Sequence, residues 1–270
     1  MASKTTTQWI FRAYVAVFMF FMLMPLAIMG GAAFNDSSFP SVYPWKGFTL
    51  HWFREMWADP DGRMWSALRN TILVALAVIA MSVPIGTSAA ILVNSLKGRG
   101  RSILYGLMVA PILTPGAVIG ISTLLFWNKF NMPAGLHLSV LGQASYISAF
   151  VMLLVLARLQ SFDRGLEEAA LDLGANYNQV LRRILLPHLY PAIGAGAAIA
   201  FFQSIENFNT TQFTRGTYDT LTVYVFSKVR AGVTPTINAL ALLLIAVTIV
   251  AAVTYEIRRR GKERALAKIA

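Results

Sequence analysis

Six uncharged, apolar stretches of about 20 residues constrain the fold of this chain more than any other feature. They cover approximately residues 14–34, 71–96, 103–127, 139–156, 190–205 and 236–255. A helix rises about 1.5 Å per residue, so each stretch suits a hydrocarbon core of about 30 Å. The composition agrees, with 56% hydrophobic residues, 13% charged residues and a mean hydropathy of +0.59. The sequence therefore predicts an all-α, polytopic membrane protein with six transmembrane helices, organised as a single transmembrane domain over residues 1–270.

The first stretch shares some features with a secretory signal peptide. Lys4 and Arg12 precede it, and the small residues 30–33 lie at its end. The apolar region of a signal peptide is about 7 to 15 residues long, and this stretch is longer. We therefore expect it to remain in place as the first transmembrane helix.

The distribution of basic residues predicts the orientation in the membrane. One predicted side carries Lys4, Arg12, Lys97, Arg99, Arg101, Arg158, Arg164, Arg182, Arg183 and the tail from Arg258 to Lys268. On the opposite side, basic residues are mixed with acidic ones such as Asp36 and Glu55. By the positive-inside rule the first side is cytoplasmic, and an even number of spans places both termini there. The net charge of +11 then reflects topology and predicts no nucleic-acid partner.

The sequence lacks the patterns that catalysis or metal binding would require. It contains no cysteine, and its three histidines, His51, His137 and His188, are far apart and outside any HExxH pattern. It also lacks GxSxG, and it lacks the GxxxxGK loop that holds nucleotide phosphates. We therefore expect no catalytic residue, no metal site and no cofactor bound by this chain, which argues against an intramembrane enzyme.

Small residues and prolines within the stretches predict close packing and bends. Gly116 and Gly120 form a GxxxG pair, and residues 194–198 are a run of glycine and alanine. Both patterns favour close approach of helices. Four prolines interrupt the predicted membrane helices, namely Pro25, Pro84, Pro111 and Pro115. Such prolines often mark helix bends.

One polar segment interrupts the apolar chain on the predicted cytoplasmic side. Residues 167–187 read EEAALDLGANYNQVLRRILLP. Apolar residues recur at helical spacing before and after Gly174, as Leu166, Ala169, Ala170 and Leu173, and then Val180, Leu181, Ile184 and Leu185. The pattern predicts two short helices, with Gly174 in a left-handed bend and Asn176 or Asn178 capping the second helix. Short helices are marginal in water, so this hairpin packs either on its own membrane domain or against another protein.

The same segment resembles the EAA motif of ABC importer permeases. The motif reads EAA, three residues, G, nine residues, I, one residue, L and P. The sequence has Glu168-Ala169-Ala170, Gly174, Ile184 and Leu186-Pro187, so all seven defined positions match. The motif also lies before the penultimate stretch, as in that family. The resemblance implies the transmembrane domain of a type I ABC importer, with a cytoplasmic coupling loop at about 159–188.

The family resemblance implies that this chain is one part of a larger assembly. In such importers two permease subunits line the path, two ATPase subunits bind ATP and Mg²⁺, and an extracytoplasmic binding protein delivers the solute. We expect the second permease to be a different chain, and the assembly to lie among the lipids of a bacterial inner membrane. The coupling residues implied by the motif are Glu168, Ala169, Ala170, Gly174, Asn176 and Val180. Here Glu168 contacts the ATPase, the alanines permit close approach, and Gly174 supplies the bend.

Further segments look most like the second permease of spermidine/putrescine-type importers. They are residues 34–37, 45–49, 161–163 and 229–239. They favour a polyamine or a similar small organic amine as the solute, over the iron, sulfate or opines that related permeases carry.

The end of the fifth stretch is the candidate substrate path. Glu206 follows this stretch directly, and a charge at the bilayer centre costs about 2.5 to 3.5 kcal/mol, so such a residue usually faces a cavity. The predicted path residues are Glu206, Asn207, Asn209 and Trp127. Polyamine-type relatives tend to carry paired aspartates near this position, whereas this chain has Glu206 followed by Asn207. Three alternatives therefore remain. The solute is amino-acid-like or opine-like instead of a polyamine, or the chain is an ion-coupled secondary transporter. In the third, Glu206 only meets bulk water at the interface and does not line the path.

Overall fold

A computed structural model describes the backbone of residues 2–232 and 234–266 and the side chains of residues 8–232 and 234–260. Its helices are α1 (Ala2–Phe34), α2 (His51–Ala58), α3 (Arg63–Ser95), α4 (Gly98–Val109), α5 (Gly116–Asn128), α6 (Leu136–Leu159), α7 (Gly165–Asp172), α8 (Tyr177–Val180), α9 (Leu186–Ile205), α10 (Thr211–Thr214), α11 (Leu221–Ala231) and α12 (Pro235–Leu266). A 3-10 turn, Ala110–Leu113, follows α4, and a turn of π-helix, Leu181–Leu185, joins α8 to α9. These residues contain no β-strand, only an isolated bridge between Asn35 and Phe48. The predicted all-α class is confirmed.

Five helical segments in the described part of the chain are long and apolar enough to cross a membrane singly. They are Gln8–Phe34, Arg63–Ser95, Leu136–Leu159, Tyr177–Ile205 and Pro235–Arg260. These segments correspond to the first, second, fourth, fifth and sixth predicted spans. A bent pair of helices lies at the position of the third predicted span, and the number is six where this pair is counted as one span.

In place of a straight third span, the chain forms two helices with a sharp bend between them. The segments Gly98–Leu113 and Gly116–Asn128 meet at an angle of 107°. Proline has no backbone N–H and disfavours the helical conformation in the residue before it. Thr114, which precedes Pro115, is accordingly extended, with φ −89° and ψ 130°. In contrast, Pro25 and Pro84 lie inside continuous helices, so only the Pro111 and Pro115 pair interrupts its span.

The chain forms two compact units. The first comprises the described residues of Met1–Asp61 and Val225–Ala270, and the second comprises Gly62–Tyr224. The first unit therefore holds α1, α2 and α12, and the second holds the helices from α3 to α10. The organisation of residues 1–270 as one transmembrane domain stays a prediction.

In the first unit, Asn35 organises the loop that follows α1. Its side chain is fully buried, and its Nδ2 donates to the carbonyl oxygens of Ser41 at 2.8 Å and Pro44 at 3.1 Å. Its Oδ1 accepts the backbone N–H of Lys46 at 2.8 Å. The indole of Trp52 in α2 donates to the carbonyl oxygen of Asn35, also at 2.8 Å. Because a buried amide must find partners, this residue fixes the loop against α2.

The helices α1 and α12 of the first unit expose many large apolar side chains. Phe20 and Phe21 are 69% and 72% exposed, and Val250 on α12 is 64% exposed. Long helices with this surface are stable in lipid and unstable in water. Their exposure is therefore consistent with two membrane spans.

The core of the second unit lies where α3, α6 and α9 pack together. Glycines permit the close approach. A Cβ at Gly86 of α3 would lie 2.5 Å from the carbonyl oxygen of Ser148, and one at Gly196 of α9 would lie 3.1 Å from a methyl group of Val151. Gly196 belongs to the small-residue run at 194–198, and the close packing predicted for that run is confirmed at this position, whereas Gly194 meets no atom within 4 Å. The buried core includes Val74, Val78, Val93, Ile147, Val151, Met152, Val155 and Leu189.

Also in the second unit, Asp219 ties the loop after α10 to the start of α3. Its two carboxylate oxygens accept from Arg63 at 2.5 Å and from Arg215 at 2.6 Å. Its backbone carbonyl accepts from Nδ2 of Asn70 at 2.9 Å. Asp219 is only 11% exposed, so two guanidinium groups neutralise a largely buried charge.

Candidate functional site

The polar segment forms a helical hairpin in the second unit. Asp163 precedes its first helix, α7, and its Oδ1 accepts the backbone N–H of Gly165 at 2.9 Å. Glu168 lies in the first turn of α7, where a negative charge interacts favourably with the helix dipole. Glu168 and Ala169 are exposed, and Ala170 is half-buried.

Gly174 and Asn176 shape the bend between the two helices of the hairpin. Gly174 has φ +86°, in the left-handed region that glycine adopts without steric cost. Asn176 Oδ1 accepts the backbone N–H of Gln179 at 2.9 Å, and Gln179 Oε1 accepts the backbone N–H of Asn176 at 2.8 Å. This reciprocal pair is a capping box. The predicted bend and cap are confirmed as local structure, while the part they play in coupling stays a prediction.

The second helix of the hairpin is continuous with the fifth span. The sequence did not predict this continuity. The helical segment Tyr177–Ile205 includes α8, the π-helical turn and α9. The sequence placed the hairpin at residues 167–187 and the fifth span at 190–205, as separate elements. Here Pro187 lies in the first turn of α9 after the wider π-helical turn, a position that tolerates its missing N–H. Uninterrupted helix thus runs from Tyr177, just after the bend, to the end of the membrane helix.

Part of the apolar stripe on the hairpin is uncovered. Leu173 is 89% exposed and Tyr177 is 75% exposed, whereas Val180 is only 3% exposed. A shallow groove of about 290 Å³ lies beside the bend, lined by Leu173, Gly174, Ala175, Gln179, Val180, Arg183 and Ile184. The chain's own packing therefore covers the stripe at Val180 and leaves it open around Leu173.

A cavity lies at the end of α9, where the helix stops. An irregular segment, residues 206–210, leads from there to α10. The cavity has a volume of about 310 Å³. Its lining combines the break between α4 and α5, one face of α6 and the irregular segment: Pro111, Ile112, Thr114, Gly116, Ile119, Tyr146, Phe150, Gln203, Glu206, Asn207, Phe208, Asn209 and Thr210. In membrane transport proteins, interrupted helices commonly form solute sites. This cavity is therefore the candidate solute site.

The structure brings three of the four predicted path residues to this cavity. Glu206, Asn207 and Asn209 line it. Trp127 does not, and its ring instead packs near those of Phe126 and Phe130, at centroid distances of 5.3 and 6.0 Å. The aromatic cluster around Trp127 is typical of a membrane interface.

Asn207 uses its hydrogen bonds to hold the irregular segment after α9 in place. Its Nδ2 donates to the hydroxyl oxygen of Tyr146 at 2.6 Å. Its Oδ1 accepts from both the backbone N–H and the hydroxyl of Thr211, at 3.1 and 3.0 Å. Its carbonyl oxygen accepts from the hydroxyl of Thr222 at 3.1 Å. The side-chain amide therefore has little capacity left for a solute.

Glu206, in contrast, is exposed at the cavity and makes no ion pair with the residues that the structure describes. It caps the C-terminal end of α9. Its carboxylate is the one acidic group among the described lining residues, and the partial negative charge of the helix end adds to it. Together they favour a cation in the cavity.

The GxxxG pair holds the irregular segment against α5. A Cβ at Gly116 would lie 3.1 Å from Cβ of Asn209, and a Cβ at Gly120 would lie 2.7 Å from the carbonyl oxygen of Thr210. The close packing predicted from this pair is confirmed.

Sequence reasoning missed the contribution of α6 to the cavity. Tyr146 and Phe150 line it. The buried Gln143 forms hydrogen bonds with the end of α9 and with the start of α10. Gln143 and Tyr146 are three residues apart in an otherwise apolar span. That spacing places them on one helix face and could have indicated a polar contact inside the membrane.

The family of the chain follows from its sequence. Residues 82–261 match the family described as binding-protein-dependent transport system inner membrane component, and the chain belongs to it. It is an inner-membrane permease of a binding-protein-dependent ABC importer, a multi-pass transport subunit and not an enzyme. This membership leaves the alternative of ion-coupled secondary transport without support.

The names of similar proteins indicate which importers within this family the chain resembles. The putrescine transport system permease protein PotI of Escherichia coli (strain K12) is 32% identical over 258 residues, which cover 92% of this chain and 90% of PotI. The spermidine/putrescine transport system permease protein PotC of the same strain is 27% identical over 245 residues, covering 90% and 91%. PotC of Haemophilus influenzae is 26% identical over 250 residues, covering 92% and 96%. The resemblance to the second permease of spermidine/putrescine-type importers is confirmed.

Solved structures share the fold. A bacterial ABC transporter involved in the import of the acidic polysaccharide alginate matches with a TM-score of 0.74 and 16% identity, over 95% of this chain and 98% of that chain. An amino acid ABC transporter with histidines matches with a TM-score of 0.52 and 19% identity, over 79% and 100%. At these identities the likeness concerns the fold alone, and it agrees with the predicted transmembrane domain of an ABC importer.

Proposed function

We propose that this permease imports a polyamine such as putrescine or spermidine, or a similar small organic amine, and that the cavity at the break after α9 is part of the solute path. One observation carries the proposal: the carboxylate of Glu206 faces the cavity at the negative end of α9. The names of the 27% and 32% identical relatives support the same class of solute. Asp219 is already paired with two guanidinium groups, whereas Glu206 is the acidic residue among the described cavity lining.

The proposed topology places both termini and the hairpin in the cytoplasm of a bacterium. The positive-inside rule supports this orientation, because Arg158, Arg164 and Arg182 are all close to the hairpin. With the hairpin inside, the fifth span runs outward from the cytoplasm, and the cavity at its end lies toward the outer half of the membrane.

The proposed assembly contains two ATPase subunits, a second permease of different sequence, an extracytoplasmic binding protein and the surrounding lipid. ATP and Mg²⁺ bind to the ATPase subunits and no cofactor binds to this chain, because the sequence has no phosphate-binding loop. We expect no nucleic-acid partner.

In this proposal the hairpin couples the ATPase to the membrane helices. Glu168 contacts the ATPase, Ala169 and Ala170 permit close approach, and Gly174, Asn176 and Val180 maintain the bend. The exposure of Leu173 and Tyr177 supports docking to another protein, since both precede the fifth apolar stretch, residues 190–205. The continuous helix from Tyr177 supports mechanical transmission, because movement of the hairpin also moves α9.

Uptake by the Glu206→Gln variant tests the proposal. The complete transporter is reconstituted in proteoliposomes, and ATP-driven uptake of labelled putrescine is measured at several concentrations. Loss of the single carboxylate should raise the KM for putrescine by about tenfold, because the amide keeps the shape but not the charge. Glu256→Gln is the matched control, since Glu256 pairs with Arg260 at 2.6 Å on α12 and is remote in sequence from the cavity.

The alternative solutes are tested in the same assay. The N-terminal end of α5 at Gly116 also borders the cavity and carries a partial positive charge, which would suit the carboxylate of an amino-acid-like or opine-like solute. Zwitterionic amino acids and an opine are therefore supplied beside putrescine and spermidine. Unchanged uptake of every solute in Glu206→Gln would remove this residue from the path, and transport of zwitterions alone would overturn the assignment of a polyamine.

A further inference from the structure

A chain of hydrogen bonds joins the end of α9 and the start of α10, on either side of the irregular segment, to a single residue of α6. The hydroxyl of Ser204, in the last turn of α9, donates to Gln143 Oε1 at 2.6 Å. Gln143 Nε2 donates to the hydroxyl oxygen of Thr211, the first residue of α10, at 2.8 Å. Gln143 and Thr211 are fully buried, and Ser204 is 4% exposed. Gln143 thus bridges the end of one helix and the start of the next.

The chain of hydrogen bonds continues to a second contact with α6. The hydroxyl of Thr211 donates to Asn207 Oδ1 at 3.0 Å, and Asn207 Nδ2 donates to the hydroxyl oxygen of Tyr146 at 2.6 Å. Tyr146 lies three residues after Gln143, on the same face of α6. The irregular segment is therefore held by α6 at both ends of this hydrogen-bonded chain.

Both polar atoms of the Gln143 side-chain amide have a hydrogen-bond partner. Its amide oxygen accepts one hydrogen bond and its amide nitrogen donates another, while Thr211 both accepts and donates. A buried polar group that loses its partner costs far more than an exposed one. Replacement of Gln143 would leave both Ser204 and Thr211 without this partner inside the membrane domain, and the break would rearrange to satisfy them.

We propose that Gln143 is a positioning residue for the solute path, which rests on the function proposed above. Gln143 is not among the described residues that line the cavity. It acts through the irregular segment, because Glu206 and Asn209 face the cavity only while Ser204 and Thr211 are held at their present separation. Gln143 thereby sets where the carboxylate of Glu206 meets the solute.

The absence of cysteine from the chain allows a direct test. Asn209→Cys introduces one thiol at the cavity, and the cationic reagent 2-aminoethyl methanethiosulfonate probes its accessibility. The complete transporter in proteoliposomes is labelled with and without putrescine, and the modified thiol is quantified on this chain by mass spectrometry. Adding Gln143→Leu to the reporter should raise the labelling rate by about threefold or more, because hydrogen bonds between membrane helices have effects of this size.

Transport kinetics supply the second measurement, in chains that lack the reporter. Gln143→Leu should raise the KM for putrescine by about tenfold with a smaller change in maximal rate, as expected when a binding group is displaced. Thr211→Val removes the next hydroxyl in the chain. If the bonds act as one unit, the double variant should resemble either single variant rather than show the sum of their effects.

Ser148→Ala is the matched control. Ser148 is also a buried polar residue of α6, 2% exposed, but its hydroxyl donates to the carbonyl oxygen of Ala144 in its own helix at 2.6 Å. Its removal should change neither the labelling rate nor the KM. Should Gln143→Leu not assemble, Ser204→Ala removes the hydroxyl that donates to Gln143 Oε1, at a residue outside the described cavity lining, and should raise both quantities.

The outcomes separate this proposal from the proposed function. If Gln143→Leu and Ser204→Ala match Ser148→Ala in labelling rate and KM, the positioning role is overturned while putrescine uptake stands. If putrescine neither protects the thiol nor is transported, the polyamine assignment fails, and a faster labelling rate in Gln143→Leu still supports the positioning role of Gln143.

Discussion

Single residues decide how closely the irregular segment after α9 approaches its neighbours. Thr210 is fully buried, and its hydroxyl donates to the carbonyl oxygen of Gly116 at 3.1 Å. A Cβ at Gly120 would lie 2.7 Å from the carbonyl oxygen of Thr210, and one at Gly142 would lie 2.9 Å from its methyl group. The segment therefore fits only because three surrounding positions lack side chains.

Gly120→Ala should destabilise the protein. Its Cβ would meet backbone atoms that have little freedom to move, and overpacking of this kind costs about 1 to 3 kcal/mol. Thermal unfolding of the purified protein in detergent measures the effect. Gly106→Ala is the control, since a Cβ there meets no atom within 4 Å. Equal unfolding temperatures for the two variants would contradict the packing described at Gly120.

At the scale of helices, the hairpin depends on the geometry of its bend. Gly174→Val should disturb that bend, because a left-handed conformation costs an L-residue about 1 to 2 kcal/mol. A Cβ at Gly174 would meet no atom within 4 Å, so the effect arises from the backbone and not from crowding. Stimulation of ATP hydrolysis by the loaded binding protein should fall several-fold in the reconstituted complex.

Gly174→Asn separates conformation from side-chain size. Asparagine tolerates the left-handed region better than valine, so this variant should keep most of the stimulation. Wild-type stimulation in Gly174→Val, or equal loss in both variants, would show that the φ of +86° at Gly174 does not matter for coupling.

The sequence predicted the helices well because their signals are local. Apolar length located the spans, and Gly174 and Asn176 indicated the bend and the cap, since each acts on residues a few positions away. The continuity of the helix through Pro187 was missed because a π-helical turn accommodates the proline. No local sequence pattern predicts such a turn. The hydrogen bonds of Gln143 were missed because its partners are 61 and 68 positions distant in sequence.

At the scale of the whole molecule, the cysteine-free chain permits a test of the topology. Tyr43→Cys and Asn178→Cys each introduce one exposed thiol, in the loop after α1 and in the hairpin respectively. In intact cells a membrane-impermeant maleimide should label Cys at position 43 and not at position 178, and inside-out vesicles should give the reverse. Labelling of both positions from one side would contradict the positive-inside assignment.

Across the whole assembly, we expect this chain to be a passive path driven by a separate ATPase. The measurement that tests it most directly is uptake of labelled putrescine into proteoliposomes, with the permease pair present alone, with the ATPase, and with the ATPase, ATP and loaded binding protein together. Labelled putrescine should accumulate only in the complete mixture, and the accumulation should be lost when ATP is replaced by a non-hydrolysable analogue. Accumulation by the permeases alone, or a complete mixture that moves no polyamine, would contradict it.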